Sequence, residues 1–474
     1  MEVYFIRKTK IICTLGPSTD NYDTLCKMVK AGMNVVRFNM AHVDHEEAAR
    51  RMQLVKKVRS DLNVPLAIMI DIKGPEIRTG QVDNPFTVEK GDLLIITGEQ
   101  IPAHDNVVPV NYPDIANDVF VGGHILLNDG LLDLIIKEIK DDLIYCEALT
   151  HGRIGNHKNV HFPDTHINLP FIREKDINDM NFAIEHDVDF IACSFVSRAS
   201  EVKEIRSYLE SHNAHDIAII AKIENKEGIE NLDEILECVD GVMVARGDLG
   251  VEIPIEKIPT IQKQMIRKVH LAGKRVITAT EMLETMTHNP RPTRAEVSDV
   301  ANAVYDGTSC VMLSGETSVG DFPVEVVKTM AKICEDTEAN INYGKNFKNI
   351  DFEIKNIADA LSHSSVNAAI DLKANAIVVC TKTGQTALMV SRFRPSMPIV
   401  AFVTSMKSYH QLAMSWNVFP SLMDEYFSTE ELSIRAIDRA KEMPYINKGD
   451  IIIVVAGIAR QAHASNLMRI EKVR

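Results

Sequence analysis

A chain of 474 residues exceeds what one ordinary hydrophobic core can organise, so two or three domains are expected. Hydrophobic residues at 45% and charged residues at 25% are ordinary globular values, and a net charge of -14 argues against nonspecific binding to nucleic acid or an anionic membrane, leaving small molecules as the expected partners. Residues 1–10 show no leader pattern, no later run approaches the ~18 apolar residues of a membrane span, and the cysteines are scattered without a C-x-x-C pair; a cytoplasmic protein with buried free thiols is expected.

From Lys10 the chain alternates short apolar runs with amphipathic stretches: strand 10–15, helix about 20–31, strand 34–38, helix about 44–62, strand 66–70. Gly32 falls where a helix should stop, and Asp20 and Asp44 fall where helices should start. This βαβαβ pattern predicts a parallel sheet. Beyond Gly80 the texture changes. Residues 86–166 hold short β-like runs at 93–97, 124–127, 131–139 and 143–148, joined by turn clusters such as Asn128-Asp129-Gly130 and Lys140-Asp141-Asp142. No helix of ordinary length fits there, so a small all-β domain is expected as an insert.

At Pro170 the alternation resumes. Strands are expected at 189–194, 218–222, 241–245, 275–278 and 310–313, with helices at about 174–186, 198–211, 226–236, 256–272, 293–305 and 322–340. With the insert removed, the βα units match the ~250 residues of a (β/α)8 barrel, in which catalytic groups stand at the strand carboxyl ends. A polar segment at 340–350 leads to residues 353–474, where about five strands suggest an open parallel sheet. The expected architecture is α/β: a TIM barrel from 1–80 and 167–340, a small β-barrel lid domain at 81–166, and an open α/β domain at 341–474.

Neither a G-x-x-x-x-G-K-[ST] loop nor a G-x-G-x-x-G after a strand is present, so no P-loop or dinucleotide fold is indicated. The chemistry gathers instead where apolar runs end. One run finishes Ala221-Lys222-Ile223-Glu224 and another Ala245-Arg246-Gly247-Asp248. On neighbouring parallel strands these ends would deliver an ammonium and two carboxylates to one crevice, with Thr280 close by, and two carboxylates can hold magnesium beside a phosphate. A lysine directly after four apolar residues is costly to bury without purpose, and a fixed ammonium can stabilise a phosphoryl group in flight. A plainer account also fits: Lys222 capping the barrel in a salt bridge with Glu224, and Glu224 and Asp248 as helix-start carboxylates.

The second barrel strand ends in Arg37, Asn39 and His42, and the third in Asp71, Lys73, Glu76 and Arg78. Guanidinium forks pair phosphate or carboxylate bidentately, so converging arginines and lysines suit a substrate with several anionic oxygens. Each alone also fits a surface ion pair. His104, His151, His157, His161 and His166 lack metal-ligand spacing and are expected to be solvated loop residues.

Several longer strings resemble the pyruvate kinase family: Asp71-Ile72-Lys73-Gly74-Pro75-Glu76-Ile77-Arg78-Thr79-Gly80, Lys222-Ile223-Glu224-Asn225 with Gly228, Ala245-Arg246-Gly247-Asp248-Leu249-Gly250-Val251-Glu252, Pro292-Thr293-Arg294-Ala295-Glu296 and Met312-Leu313-Ser314-Gly315-Glu316-Thr317. The resemblance covers essentially the whole chain. It implies transfer of the phosphoryl group of phosphoenolpyruvate to ADP, giving pyruvate and ATP in glycolysis. By the same resemblance Lys222 would stabilise the transferring phosphoryl and the forming enolate, Arg37 would hold the phosphate, and Gly247 and Asp248 with Thr280 would hold the carboxylate. Glu224 and Asp248 would bind Mg2+ or Mn2+. Asn39, His42, Arg78 and Lys158 would face the nucleotide, Lys158 carried on an insert that closes as a water-excluding lid. A homotetramer is implied as well.

The family's monovalent-cation site normally uses an Asn, a Ser, an Asp and a Thr; Asn39 and Asp71 are present, while Ala41 and Ile72 replace the others. Ile72 can substitute through its carbonyl, but Ala41 cannot replace a hydroxyl, so a weakened K+ site at Asn39, Asp71 and Ile72 is expected. Glu76 fits the potassium-dependent branch. Glu281 stands where the family usually has Gln, and Val160-His161-Phe162-Pro163-Asp164 replaces Val-Asn-Leu-Pro-Gly at the lid hinge. In the last domain Thr381-Lys382-Thr383-Gly384-Gln385-Thr386 resembles the family's sugar-phosphate effector loop, a plausible phosphate nest, although an N-capped turn also fits and the loop 457–466 lacks the family's glycines. Two rivals stand beside this reading: another metal-dependent barrel enzyme of pyruvate or phosphoenolpyruvate chemistry, such as a lyase or aldolase, and a catalytically weakened paralogue acting as a metabolite-binding regulator.

Overall fold

Short strands that are apolar on both faces must be covered on both sides, and parallel pairing with crossover helices achieves this. The computed structural model describes residues 7–424, 429–443, 445–457 and 465–474. Eight parallel strands close into a barrel in chain order: β1 (Lys10–Thr14), β2 (Met33–Asn39), β3 (Ala67–Ile72), β4 (Phe190–Cys193), β5 (Ala218–Ile223), β6 (Gly241–Ala245), β7 (Arg275–Ala279) and β8 (Cys310–Leu313). Period-two alternation sorts their side chains. Ile12, Val35, Met69, Phe190, Ile220 and Met243 fill the interior, whereas their neighbours Ile11, Val36, Ile68, Ile191, Ile219 and Val242 pack against the surrounding helices. Continuing the inward parity gives Thr14, Arg37, Asp71 and Lys222 two residues beyond Ile12, Val35, Met69 and Ile220, and Ser194 two residues beyond the interior Ala192 of β4. The site is the top layer of the barrel's own filling.

The bottom of that filling comes from elsewhere. Ala413 and Met414, in the turn Leu412–Met414 of the C-terminal region, belong to the same interior cluster as the barrel strands. Around them Lys10 Nζ donates to the Val418 carbonyl at 2.9 Å, and Arg275 Nε donates to Ser415 Oγ at 3.2 Å.

The insert leaves after β3 and returns before β4. Its six-stranded sheet runs Val160–His161, His124–Leu127, Leu132–Lys140, Leu143–Ala148, Leu93–Thr97, Val107–Pro109, and a ribbon of Phe86–Val88 with Gly152–Ile154 shares its core. Asp141 and Asp142 take φ of 50° and 61°, the paired positive values that a two-residue hairpin turn requires.

The C-terminal sheet has five strands in the order Val418–Leu422, Ile399–Val403, Ala376–Cys380, Ile451–Gly457, Ser465–Lys472. The last is antiparallel, which corrects the all-parallel expectation. The helix expected at 226–236 breaks at Asn231 into Lys226–Glu230 and Leu232–Cys238, where the Asn231 side chain donates to the Ser197 carbonyl at 2.9 Å. The 340–350 segment is not simply a linker, since Tyr343–Lys348 is helical with Asn342 as its cap. Among the described residues no helix is long and apolar enough to cross a membrane, and the eight cysteines are all free.

Gly16, just after β1, lies so close to the Gly315–Ser318 turn that a Cβ would sit 2.4 Å from the Ser318 carbonyl oxygen. Gly344 has no atom nearer than 3.9 Å to such a Cβ. Overpacking of this kind costs ~1–3 kcal/mol, so Gly16→Ala should lower the apparent Tm by several degrees in differential scanning fluorimetry, while Gly344→Ala should not.

Candidate active site

At the carboxyl end of β5 the Lys222 ammonium donates to Ser194 Oγ at 2.7 Å and lies 3.0 Å from Glu224 Oε1 and 3.3 Å from Asp71 Oδ1. Asp71, ending β3, is held from the other side by Arg37 of β2, with Nε donating to Oδ2 at 2.8 Å and Nη2 at 2.7 Å. Arg37 is fixed further by Thr14, whose hydroxyl accepts from Nη1 at 2.9 Å. Four adjacent strands and the first strand thus converge on one cluster.

Burial in that cluster would discharge each group, and the partners decide the outcome. For Asp71 burial acts upward, but Lys222 and Arg37 outweigh it and hold the carboxyl below its usual range. For Lys222 burial acts downward, yet Asp71 and Glu224 outweigh it and hold the ammonium above its ordinary value. Glu224 goes the other way. Burial raises it, the nearby Asp248 charge raises it further, and Lys222 and the Phe195 N–H, donating at 2.7 Å, offset this only in part.

The balance is two cations, Lys222 and Arg37, against three carboxylates, Asp71, Glu224 and Asp248. A divalent cation beside Glu224 and Asp248 would relieve the excess negative charge that lifts Glu224, so the donor set fits Mg2+ or Mn2+. Among the described residues no group of three or more His, Cys, Asp or Glu forms a cage. Two carboxylates with substrate oxygens and water completing the shell is the way Mg2+ is usually held.

Asp248 lies in the first turn of the helix Arg246–Glu252, so it is a helix-start carboxylate as well as a member of the crevice at the end of β6. Opposite it, Thr280 and Glu281 both have positive φ, 64° and 51°. A β-branched residue there is strained, and its neighbours over-determine the position. The Gly247 N–H donates to Thr280 Oγ1 at 2.9 Å, Arg246 donates to the Ala279 and Thr280 carbonyls, and Asp299 pairs with Arg246 at 2.6 Å. Glu281 is exposed.

A second group sits at the neck of the insert. Glu76 pairs with Arg78 at 2.8 Å and Lys73 at 3.2 Å. His42 is held below its ordinary value by partial burial and then by Arg78 and Arg37. Thr79 and Lys158 exchange hydrogen bonds at 2.8 Å, which sets Lys158 beside Arg78 with its side chain exposed. At the expected K+ position, Asn39 Oδ1 accepts from the Ala41 N–H at 3.2 Å and the Ile72 carbonyl accepts from Ser194 Oγ at 2.9 Å.

The residues 381–386 lie on the C-terminal sheet, apart from this group. There Thr381 Oγ1 accepts from the Gly384 N–H at 3.1 Å and Thr383 Oγ1 from the Gln385 N–H at 3.5 Å, so the turn caps its own helix, Gln385–Ser391. Lys382 is exposed and Thr386 is the second residue of that helix. Residues 458–464 of the loop at 457–466 lie outside the described residues.

Two members of the site carried only a weak signal. Ser194 immediately follows the apolar run of β4 as Lys222 follows Ala221, but a serine there reads as an ordinary strand end. Arg246 was overshadowed by Asp248. One expectation is overturned: His161 is not a solvated loop residue but is 6% exposed and bonded to Glu252.

The chain matches the family described as pyruvate kinase, barrel domain, over residues 6–327, and pyruvate kinase, alpha/beta domain, over residues 359–471. It is 44% identical over 473 residues to a pyruvate kinase of Clostridium acetobutylicum, covering 99% of this chain and 100% of that protein. It is 44% identical over 469 residues to a pyruvate kinase of Bacillus licheniformis, covering 98% of this chain and 80% of that protein. A crystal structure of a pyruvate kinase from Cryptosporidium parvum superimposes with a TM-score of 0.93 at 38% identity, covering 99% of this chain and 96% of that one.

Breaking a buried ion pair by removing one partner costs ~3–5 kcal/mol, and Asp71→Asn would leave both Lys222 and Arg37 short of a counter-charge. Because the folded carboxyl is held below its unfolded value, the stability it contributes is present above the unfolded value of about 4 and is lost as pH falls through the depressed folded one. Thermal denaturation should therefore show a large deficit for Asp71→Asn at pH 7 that narrows at acid pH.

Proposed function

The chain belongs to the pyruvate kinase family and has its activity, moving the phosphoryl group of phosphoenolpyruvate to ADP to give pyruvate and ATP, and we propose that Lys222, Arg37 and Thr280 are the residues that carry it. The observation that supports this most is the seat of Lys222, whose ammonium bridges Ser194, Asp71 and Glu224 and is held charged. A permanent cation fixed by three neighbours needs little reorganisation when charge develops beside it, which is the condition for electrostatic stabilisation of a phosphoryl group and an enolate oxygen.

Arg37, its fork oriented by Asp71 and Thr14, holds the phosphate of phosphoenolpyruvate. The Gly247 N–H and Asp248 backbone, with the Thr280 hydroxyl, receive the carboxylate, exchanging the mutual hydrogen bond for contacts to substrate. Glu224 and Asp248 would hold Mg2+ or Mn2+, which supplies Lewis-acid polarisation of the substrate oxygens. Asn39, His42, Arg78 and Lys158 face ADP, and the insert acts as a lid excluding water from the phosphoryl group. Asn39, Asp71 and the Ile72 carbonyl form a K+ site weakened by Ala41. A cytoplasmic homotetramer with a sugar-phosphate effector at 381–386 completes the reading.

In an assay coupled to lactate dehydrogenase with phosphoenolpyruvate, ADP, Mg2+ and K+, Lys222→Met should lower kcat by ~10³ or more with KM little changed. Preserved kcat with a large rise in KM would make Lys222 a binding residue only. Exchanging K+ for tetramethylammonium should reduce turnover, and undiminished activity would remove the K+ site.

A further inference from the structure

Two crossings join the lid to the barrel, and the second contains the edge strand Val160–His161, paired with His124–Leu127. A histidine at such an edge would ordinarily face water. His161 is instead enclosed, and its Nδ1–H donates to Glu252 Oε1 at 3.2 Å. Its Nε2 is buried without a partner among the described residues, at the wall of a cavity of about 410 Å3 between lid and barrel that Phe162, Phe195, Glu227 and Glu252 also line.

Glu252 is the last residue of the helix Arg246–Glu252, whose first turn holds Asp248. The lid turn Asn128-Asp129-Gly130 comes near the same short helix, close enough that a Cβ added at Gly130 would lie 3.4 Å from Val251 Cγ1. One hydrogen bond thus ties the lid to the element that bears Asp248, and the lid turn at Gly130 comes close to the same helix. Burial acts against a charged imidazole, but Glu252 outweighs it, and Asp248 and Asp129 add to the same effect, so His161 is held above its ordinary value and the contact is charge-assisted.

We propose that His161 is a positioning residue for phosphoryl transfer: through Glu252 it fixes the lid's return strand against the helix carrying Asp248, and so sets the distance between lid-bound nucleotide and the metal carboxylates. This rests on reading the insert as a lid over ADP and Asp248 as a metal ligand. Glu252 closes the helix while Asp248 opens it, so displacement at one end is transmitted over less than two turns.

His161→Phe keeps bulk without the donor, His161→Asn keeps a nitrogen donor near the Nδ1 position, and Glu252→Gln removes the charged acceptor. Loss of a charge-assisted hydrogen bond should lower kcat/KM for ADP by about tenfold in His161→Phe and Glu252→Gln, with KM for phosphoenolpyruvate within about twofold and His161→Asn largely rescued. Amide exchange across 124–127 and 160–161 should accelerate in the same two variants, and the double variant should be no worse than the poorer single. Unchanged kcat/KM for ADP, equal impairment of the Phe and Asn variants, or multiplying effects in the double would overturn the proposal. Should His161→Phe fail to fold, Glu252→Gln decides by the same criteria. Failure of the metal reading would show separately, as an Asp248→Asn variant with unaltered Mg2+ dependence, because amide exchange and the double-variant comparison need no metal.

Discussion

Asp71 between Arg37 and Lys222 is the contact on which the rest of the barrel mouth depends. Neither cation would be stable in that enclosure alone, and one carboxylate on an intervening strand satisfies both. It also fixes their relative position. Arg37 and Lys222 stand on β2 and β5, and the distance between them is set through β3, so the spacing of the two cations is built into strand register rather than loop conformation. Rigid strand ends hold catalytic groups more tightly than loops do.

Around this fixed centre the adjustable parts lie at the margin. Thr280 and Glu281 are held in strained backbone by Arg246 and Gly247, and the lid bears on the helix that starts with those two residues. The rigid ion-pair cluster thus borders a segment in contact with the insert. The raised carboxyl of Glu224 belongs to the same enclosure, where burial and the Asp248 charge both act against its ionisation.

Much of the architecture was legible because barrel strands are buried on both faces and so appear as unbroken apolar runs; the abrupt polarity at the ends of the runs leading to Lys222 and Asp248 pointed to charged groups that the fold brings together. What was not legible depends on distant partners. His161 looks like any polar residue of a β-rich insert until Glu252, 91 positions away, closes over it. Whether Asp248 begins a helix stayed open because Gly247 and Gly250 oppose helix formation locally, and packing overrides them in Arg246–Glu252. The strand Ser465–Lys472 carries Arg469, Glu471 and Lys472, charges that an edge strand tolerates but that mask its alternation. Family resemblance supplied roles that spacing alone left open, such as the nucleotide face of Lys158.

Ala413 and Met414 give the barrel a floor made from residues about a hundred positions beyond its last strand. On the ribosome all eight strands emerge before that floor exists. The barrel's lower interior must therefore stay open, or be shielded by chaperones, while a further hundred residues are synthesised. Completion of the hydrophobic core is thus a late, C-terminal event, and a truncated translation product would display an apolar socket that quality control can recognise.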